Sequence, residues 1–172
     1  MNRITTNKTS KESKSILNLD IRPLSYASLL EAFQVLREAL PSDRRWLIDL
    51  LASLNPWKGI GLPWLGGCEY LRYWVSIEKN RVVGVTGMYI PRQTPESISW
   101  LGWTAVRPEI HRRGIGKFML DYIFQQAKSM EIATLAVYTS IKHPKAIAFY
   151  QKLGFFPGKG KGNYLVYKKT LL

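Results

Sequence analysis

One junction constrains the fold of this chain more than any other feature: a strand, a basic glycine turn and a helix follow one another directly. Residues 97–106 have the pattern of a strand, and residues 115–130 repeat apolar side chains at helical spacing. The turn between them contains three cations, Arg112, Arg113 and Lys117. A helix N-terminus already carries a positive partial charge, so cations there are disfavoured unless an anion binds. The junction therefore predicts an anion-binding site.

The glycines of the turn support that prediction. Gly114 and Gly116 lack the side chains that would keep a bulky anion away from the backbone, and the first N–H groups of the helix then point at the anion. A diphosphate at this position would make the cations favourable. Two well-known phosphate loops fit poorly, because Phe118 stands where a Walker A loop needs Ser or Thr, and Met119 stands where a Rossmann fingerprint needs glycine. A solvated basic turn that binds no ligand is the alternative.

The other patterns predict one mixed domain over residues 16–172, after a polar tail over 1–15. In chain order, the predicted strands are 16–24, 69–78, 81–90, 97–106, 134–138 and 163–169. The predicted helices are 26–40, a segment through Trp46 and Leu50, 115–130 and 144–153. Lys79-Asn80 is expected to be a hairpin turn, and 55–67 a loop rich in Gly, Pro and Trp. The order βααβββαβαβ is typical of an α/β (α+β mixed) domain.

Composition narrows the classes of function. A length of 172 residues suits a single domain, and a net charge of +13 predicts an anionic ligand or surface. The single cysteine, Cys68, excludes an internal disulfide, and with only two histidines we expect no metal site. No apolar run is long enough to span a bilayer, and the first residues lack the apolar core of a secretory signal. We therefore expect a cytoplasmic protein without membrane contact, with a transit peptide as the alternative interpretation of the tail.

Two segments resemble the GNAT superfamily of acyl-CoA-dependent N-acyltransferases. The family motif [Q/R]xxGxG/A, between a strand and a helix, is similar to HRRGIG (111–116), which follows a V-x-P over residues 106–108. The segment AIAFYQKLGFF (146–156) resembles the second family segment, a helix with A-x-x-x-Y that ends in G-F. The order of elements also matches from about residue 16 to 169. The resemblance implies a mixed, mostly antiparallel sheet flanked by helices.

The resemblance also implies acetyl-CoA as co-substrate. The residues expected to bind it are Thr104, Val106, His111, Arg112, Arg113, Gly114, Ile115, Gly116, Lys117 and His143. In the family, the pantetheine arm lies between two splayed parallel strands, which here would be 97–106 and 132–138. Tyr150 matches the family tyrosine that donates a proton to the departing thiolate, a role that suits a phenol because it is protonated at neutral pH. A tyrosine that only packs against the sheet is the alternative.

Three positions depart from the family pattern. His111 replaces the usual Gln or Arg, and His143 stands where many members have an Asn that helps to hold the cofactor and caps the helix. A surface residue before Pro144 is the alternative interpretation of His143. Gly102 stands where many members carry a Glu as general base. We expect this glycine to leave room beside Trp100 and Trp103 for a bulkier acceptor. We also expect the amine to lose its proton without that carboxylate.

The function implied by the resemblance is transfer of an acetyl or short acyl group from acyl-CoA to a primary amine, by direct attack in a ternary complex. We expect a small amine with an apolar or carboxylate part, since the basic chain suits polycations poorly and its tryptophans suggest an aromatic wall. An acyl-CoA sensor of the same fold, without turnover, is one alternative because of Gly102. A nucleic-acid-binding module is a weaker alternative, because no recognition motif accompanies the charge. The sequence is compatible with a homodimer but does not decide the oligomeric state.

Overall fold

The structure is a computed structural model that describes residues 18–54, 67–92, 97–160 and 162–171. The predicted tail over 1–15 and the predicted loop over 55–67, apart from Gly67, lie outside these ranges. Within the described ranges, no helix has the length and apolar character that a membrane crossing requires.

The described elements follow the predicted order closely. The helices are α1 (Tyr26–Ala39), α2 (Trp46–Leu54), α3 (Ile115–Ser129) and α4 (Pro144–Lys152). The strands are β1 (Leu19–Pro23), β2 (Cys68–Glu78), β3 (Arg81–Pro91), β4 (Ile98–Leu101), β5 (Ala105–Val106), β6 (Thr134–Ser140), β7 (Phe156–Pro157) and β8 (Tyr164–Thr170). A short 3₁₀ turn over Pro108–Ile110 precedes α3.

Two features differ from the sequence prediction. The strand expected over 97–106 is divided into β4 and β5, because residues 102–104 lie outside the strand pairing. The two-residue strand β7 was not predicted, because so short a segment carries no visible alternation.

The strands form one eight-stranded sheet in the order β1-β2-β3-β4-β6-β8-β7, with β5 paired to β3. Only the β4–β6 pair is parallel among the described strand pairs. The fold prediction of a mixed, mostly antiparallel sheet is therefore confirmed. The predicted hairpin turn is present as well: Lys79 and Asn80 have φ angles of 50° and 60°, and a two-residue type I′ turn requires positive values at both positions.

Helices cover the two faces of the sheet separately. Because side chains alternate along a strand, Tyr73 and Val75 of β2 lie on one face and Trp74 on the other. The first face packs against α1 and α2 and is called the α1–α2 face below. The second packs against α3 and α4, through residues such as Leu120 and Tyr150, and is called the α3–α4 face.

Candidate active site

The central parallel strands part at the middle of the sheet. β4 pairs with β6 as far as Trp100, which lies opposite Ala136. Beyond this point β5 pairs with β3, while β6 continues beside β8. A wedge-shaped gap therefore opens between residues 102–106 and the second half of β6. These are the two splayed strands that the resemblance implied.

The glycine turn starts α3 with an uncapped end. Gly114 is the N-cap residue, and its φ of 88° lies in the left-handed region that glycine adopts without steric cost. Among the described residues no side chain caps this helix, so the N–H groups of its first turn are available to a ligand. A Cβ placed on Gly114 would meet no described atom within 4 Å. The open space and the free N–H groups fit an anion such as a diphosphate.

The three cations of the turn have different partners. Arg113 donates to both oxygens of Glu78 at 3.1 and 2.6 Å, and Lys117 Nζ lies 2.5 Å from Asp121 Oδ2. Arg112 is exposed and forms no ion pair with any other residue that the structure describes. Two of the cations are thus balanced within the protein, and Arg112 is fully available to a ligand.

Other contacts hold the turn in place without a ligand. His111 Nε2 lies 2.8 Å from the carbonyl oxygen of Val106, so this ring contacts the turn itself. The guanidinium of Arg107, which is 2% exposed, donates to the carbonyl oxygen of Val82 at 2.9 Å and to both oxygens of Glu38 at 2.9 Å. Sequence reasoning missed Arg107, because nothing local in V-x-P indicates a partner on α1.

Thr104 and Val106 lie on the inner side of the gap. The Thr104 hydroxyl is 2.9 Å from the Thr86 hydroxyl and 3.3 Å from the carbonyl oxygen of Gly102. Val106 is part of β5, where it is the register partner of Gly84. The one polar side chain of this pair, the Thr104 hydroxyl, is therefore already hydrogen-bonded within the protein.

The two sequence segments that carried the resemblance meet in the structure. A Cβ placed on Gly116 would lie 3.2 Å from Cζ of Phe149 on α4 and 3.9 Å from Cγ2 of Val106. Gly116 therefore also packs closely against α4, and its role in binding an anion stays a prediction. The open glycine is Gly114.

Tyr150 follows Phe149 on α4 and is 8% exposed. Its ring packs edge-on against Phe155 at 5.5 Å between centroids, within the buried cluster that includes Leu101 of β4 and Val137 of β6. Burial raises the pKa of Tyr150 to about 12. The hydroxyl is therefore protonated at neutral pH, as a proton donor must be, and it belongs to the α3–α4 face beside the gap.

His143 is the N-cap residue of α4 and is exposed. Its main-chain N–H donates to the carbonyl oxygen of Ser140 at 3.0 Å. Among the described residues, the N-terminus of α4 receives no side-chain cap hydrogen bond. His143 therefore occupies the position of the family Asn without reproducing its capping hydrogen bond.

The glycine at the position of the usual family Glu is closely packed. A Cβ placed on Gly102 would lie 2.6 Å from the hydroxyl oxygen of Tyr73, which is 1% exposed. That hydroxyl accepts a hydrogen bond from the main-chain N–H of Trp103 at 3.1 Å. The expectation that Gly102 leaves room beside Trp100 is therefore wrong, because Tyr73 fills the space. Burial and then the charge of Asp49 raise the pKa of Tyr73 well above its usual value, so this hydroxyl cannot replace the missing base at neutral pH.

A carboxylate reaches the same region from α2. Asp49 Oδ2 accepts a hydrogen bond from Trp103 Nε1 at 2.6 Å. Burial raises the pKa of the Cys68 thiol to about 11, and the charge of Asp49 contributes to this shift, so the carboxylate lies near β2 as well. Sequence reasoning did not select Asp49, because 54 residues separate it from Trp103 and only the packing of α2 brings them together.

Known proteins share this sequence pattern and this fold. The profile of the Acetyltransferase (GNAT) family matches residues 30–155. The [ribosomal protein bS18]-alanine N-acetyltransferase of Escherichia coli K12 is 32% identical over 118 residues, which cover 68% of this chain and 76% of that one. The S-(2-succino)cysteine N-acetyltransferase of Bacillus subtilis is 25% identical over 108 residues, 58% of this chain and 66% of that one. The structure of PaiA N-acetyltransferase from Thermoplasma acidophilum, in complex with coenzyme A, matches with a TM-score of 0.69 at 17% identity, over 88% of this chain and 98% of that one.

The fold and the glycine turn define an acyl-CoA-dependent acyltransferase. Since the family profile covers most of the chain, this protein belongs to the Acetyltransferase (GNAT) family and is an N-acetyltransferase.

Proposed function

We propose that this enzyme transfers an acetyl group from acetyl-CoA to a small primary amine, by direct attack within a ternary complex. The observation that carries the proposal is the Gly114 turn, an open and uncapped helix start beside the gap between two parting parallel strands. The PaiA relative was solved with coenzyme A, which supports the same ligand here.

The diphosphate of the co-substrate would lie on the first-turn N–H groups over residues 115–117, with the Arg112 guanidinium beside it. The ion pair between Arg113 and Glu78 and the hydrogen bonds of Arg107 fix the turn in advance. Pre-formed geometry reduces the ordering cost of binding, because little of the turn has to be immobilised when the ligand arrives. The pantetheine arm would enter the gap along the main chain of 104–106.

The chemistry requires three tasks of the chain. As the amine nitrogen attacks the thioester carbonyl carbon, a C–N bond forms and the C–S bond breaks. The main-chain N–H of Thr104 would hold the carbonyl oxygen while negative charge develops on it, because the N–H groups of Gly102 and Trp103 already donate to the Gly87 carbonyl and the Tyr73 hydroxyl. Tyr150 would give its proton to the departing sulfur, and the protons that the amine releases leave through water.

The choice of acceptor follows from the charge of the chain. Relatives that share the fold act on different amines, as the names of the E. coli and B. subtilis enzymes show. A net charge of +13 disfavours a polycationic acceptor through long-range repulsion. A small amine with an apolar or carboxylate part therefore fits best.

Thermal melting with acetyl-CoA tests the binding step, with Gly114→Glu as the variant and Gly162→Glu as its matched control. Both glycines have positive φ and a Cβ direction in which no described atom lies within 4 Å, so both substitutions add the same charge without overlap with a described atom. A ligand at about 100 times its Kd stabilises a protein by about 2.7 kcal/mol. We expect acetyl-CoA to raise the Tm of the wild type and of the Gly162 variant, but not of the Gly114 variant.

Release of CoA thiol across a panel of amines tests the transfer step. Turnover with at least one small amine supports the proposal. A Gly114→Glu protein that acetyl-CoA still stabilises would show that the turn is assigned wrongly. Stabilisation by acetyl-CoA without thiol release for any amine would contradict transfer to a small amine.

A further inference from the structure

Two aromatic rings stack at the mouth of the gap. The Trp100 and Tyr138 rings are 4.4 Å apart between centroids with 11° between their planes. Trp100 ends the β4–β6 pairing, and Tyr138 lies two residues beyond its partner, Ala136. Their neighbours Leu101 and Val137 belong to the α3–α4 cluster. Because side chains alternate, the stack lies on the α1–α2 face, opposite Tyr150.

The stack presents an exposed ring to solvent. Tyr138 is 54% exposed, although it lies in the middle of a central strand. The helices of this face pack over other strands, α2 on β2 and α1 on β3 and β5. A half-exposed aromatic side chain on a central strand, next to the gap, is therefore a surface that a flat apolar group can cover.

The neighbours of the stack are held in place by other elements. Tyr89 on β3 is the register partner of Trp100. Asp49 Oδ2 on α2 accepts a hydrogen bond from Trp103 Nε1 at 2.6 Å, in the segment that follows the stack. The exposed Tyr138 ring therefore lies beside the positioned segment that would hold the thioester carbonyl.

We propose that the acceptor is a primary amine that carries an aromatic ring, with the ring stacked on the exposed Tyr138 and the amino group directed into the gap. This inference rests on the proposed function and narrows its acceptor. The net charge of +13 repels a polyamine more strongly than an amine with a single ammonium group. An aromatic ring gains more from a stacked tyrosine than a saturated ring of the same size, because offset π-faces attract beyond the area they bury.

The test compares 2-phenylethylamine, 2-cyclohexylethylamine and spermidine, each at saturating acetyl-CoA, by the rate of CoA-thiol release. Calorimetric titration of the same amines into CoA-saturated protein gives their affinities independently of turnover. The variants are Tyr138→Leu, which keeps an apolar side chain without a ring, and Tyr138→Phe, which keeps the ring. Tyr26→Leu is the matched control, because Tyr26 is 74% exposed at the start of α1.

We expect the wild type to prefer the phenyl over the cyclohexyl amine by about threefold to tenfold in kcat/KM, and spermidine to be the poorest of the three. Tyr138→Leu should abolish the preference for the phenyl ring mainly through KM, while Tyr138→Phe and Tyr26→Leu retain it. Equal use of the two ring amines, a preference for spermidine, or a phenyl preference that survives Tyr138→Leu would overturn the inference. If the enzyme still acetylates a small amine in those cases, the proposed function stands and only the inference of an aromatic acceptor fails. If acetyl-CoA neither stabilises the protein nor yields CoA thiol with any amine, both proposals fail.

Discussion

The proposed cofactor side and the proposed acceptor side of this molecule are constructed in different ways. The cofactor side presents the main-chain groups of one contiguous turn over 106–117, which has an internal contact between His111 and Val106 and is anchored by ion pairs to Glu38 and Glu78. The acceptor side assembles Asp49, Tyr73 and Tyr138 from α2, β2 and β6. This difference shows that the N–H groups of an anion-binding turn can come from one short segment of sequence. A binding surface made of side chains requires elements that are distant in sequence to pack together.

The same contrast explains how each side tolerates change. A histidine replaces the usual Gln or Arg in the turn, and its ring is hydrogen-bonded to the turn itself, so the main-chain cradle is unaffected. On the acceptor side, the glycine at position 102 is coupled to Tyr73, because a Cβ there would lie 2.6 Å from the Tyr73 hydroxyl. A larger residue at position 102 therefore requires a change at position 73.

The largest effect is expected for Tyr150→Phe, which tests the chemistry next to the cofactor side. Loss of the proton donor should lower kcat by about 10²–10⁴-fold and leave the stabilisation by acetyl-CoA nearly unchanged. Single-turnover kinetics and thermal melting measure the two quantities. Tyr167→Phe is the matched control, since Tyr167 is 5% exposed in the same buried cluster. Wild-type turnover in Tyr150→Phe would assign Tyr150 a packing role only.

The next effect is the dependence of the rate on pH, which tests the acceptor side. Without a strand carboxylate at Gly102, kcat/KM should rise about tenfold per pH unit below the amine pKa, because only the neutral amine attacks. Since the pKa of Tyr150 is about 12, its hydroxyl stays protonated, and no decrease from Tyr150 should appear below about pH 10. A plateau that begins near neutral pH and disappears in Asp49→Asn would instead identify Asp49 as a general base.

A smaller effect concerns the long-range anchor of the cofactor turn. Glu38→Ala removes the carboxylate that pairs with the buried Arg107 and should lower the free energy of unfolding by about 2–3 kcal/mol. This is below the range for fully buried pairs, because the Glu38 side chain is 38% exposed. Urea denaturation measures the loss. The double variant Glu38→Leu with Arg107→Met should lose less, since no buried charge then lacks a partner. Equal losses would show that the pair acts through packing alone.

The smallest effect is a coupling between two acceptor-side residues. Gly102→Ala should destabilise the protein by about 1–3 kcal/mol, because its Cβ overlaps the end of the Tyr73 side chain. The same substitution in a Tyr73→Phe background should cost about 0.5–1 kcal/mol less, as expected for residues in direct contact. A double-mutant cycle from urea midpoints measures the coupling. If Gly102→Ala leaves the free energy of unfolding unchanged, the space beside Trp100 is open.

Much of the fold could be predicted from local pattern. The helix spacing of 115–130 and the strand pattern of 81–90 each depend on residues within one element, and both agree with α3 and β3 to within a residue. The break between β4 and β5 could not be predicted, because the segment around Gly102 has the composition of a strand. Residues 102–104 leave the β4–β6 pairing because β5 diverges toward β3.

The sequence by itself determined the order of elements, the glycine turn at the start of α3 and the tyrosine of α4. Each depends on neighbours a few residues apart, whose spacing fixes which backbone groups and side chains share a face. Only the tertiary structure decided that Tyr73 fills the space at Gly102, that Asp49 meets Trp103 and that Arg107 pairs with Glu38. These partners are 54 residues apart for Asp49 and Trp103 and 69 for Arg107 and Glu38. Close packing selects them, and no local periodicity records which distant side chain will occupy a given space.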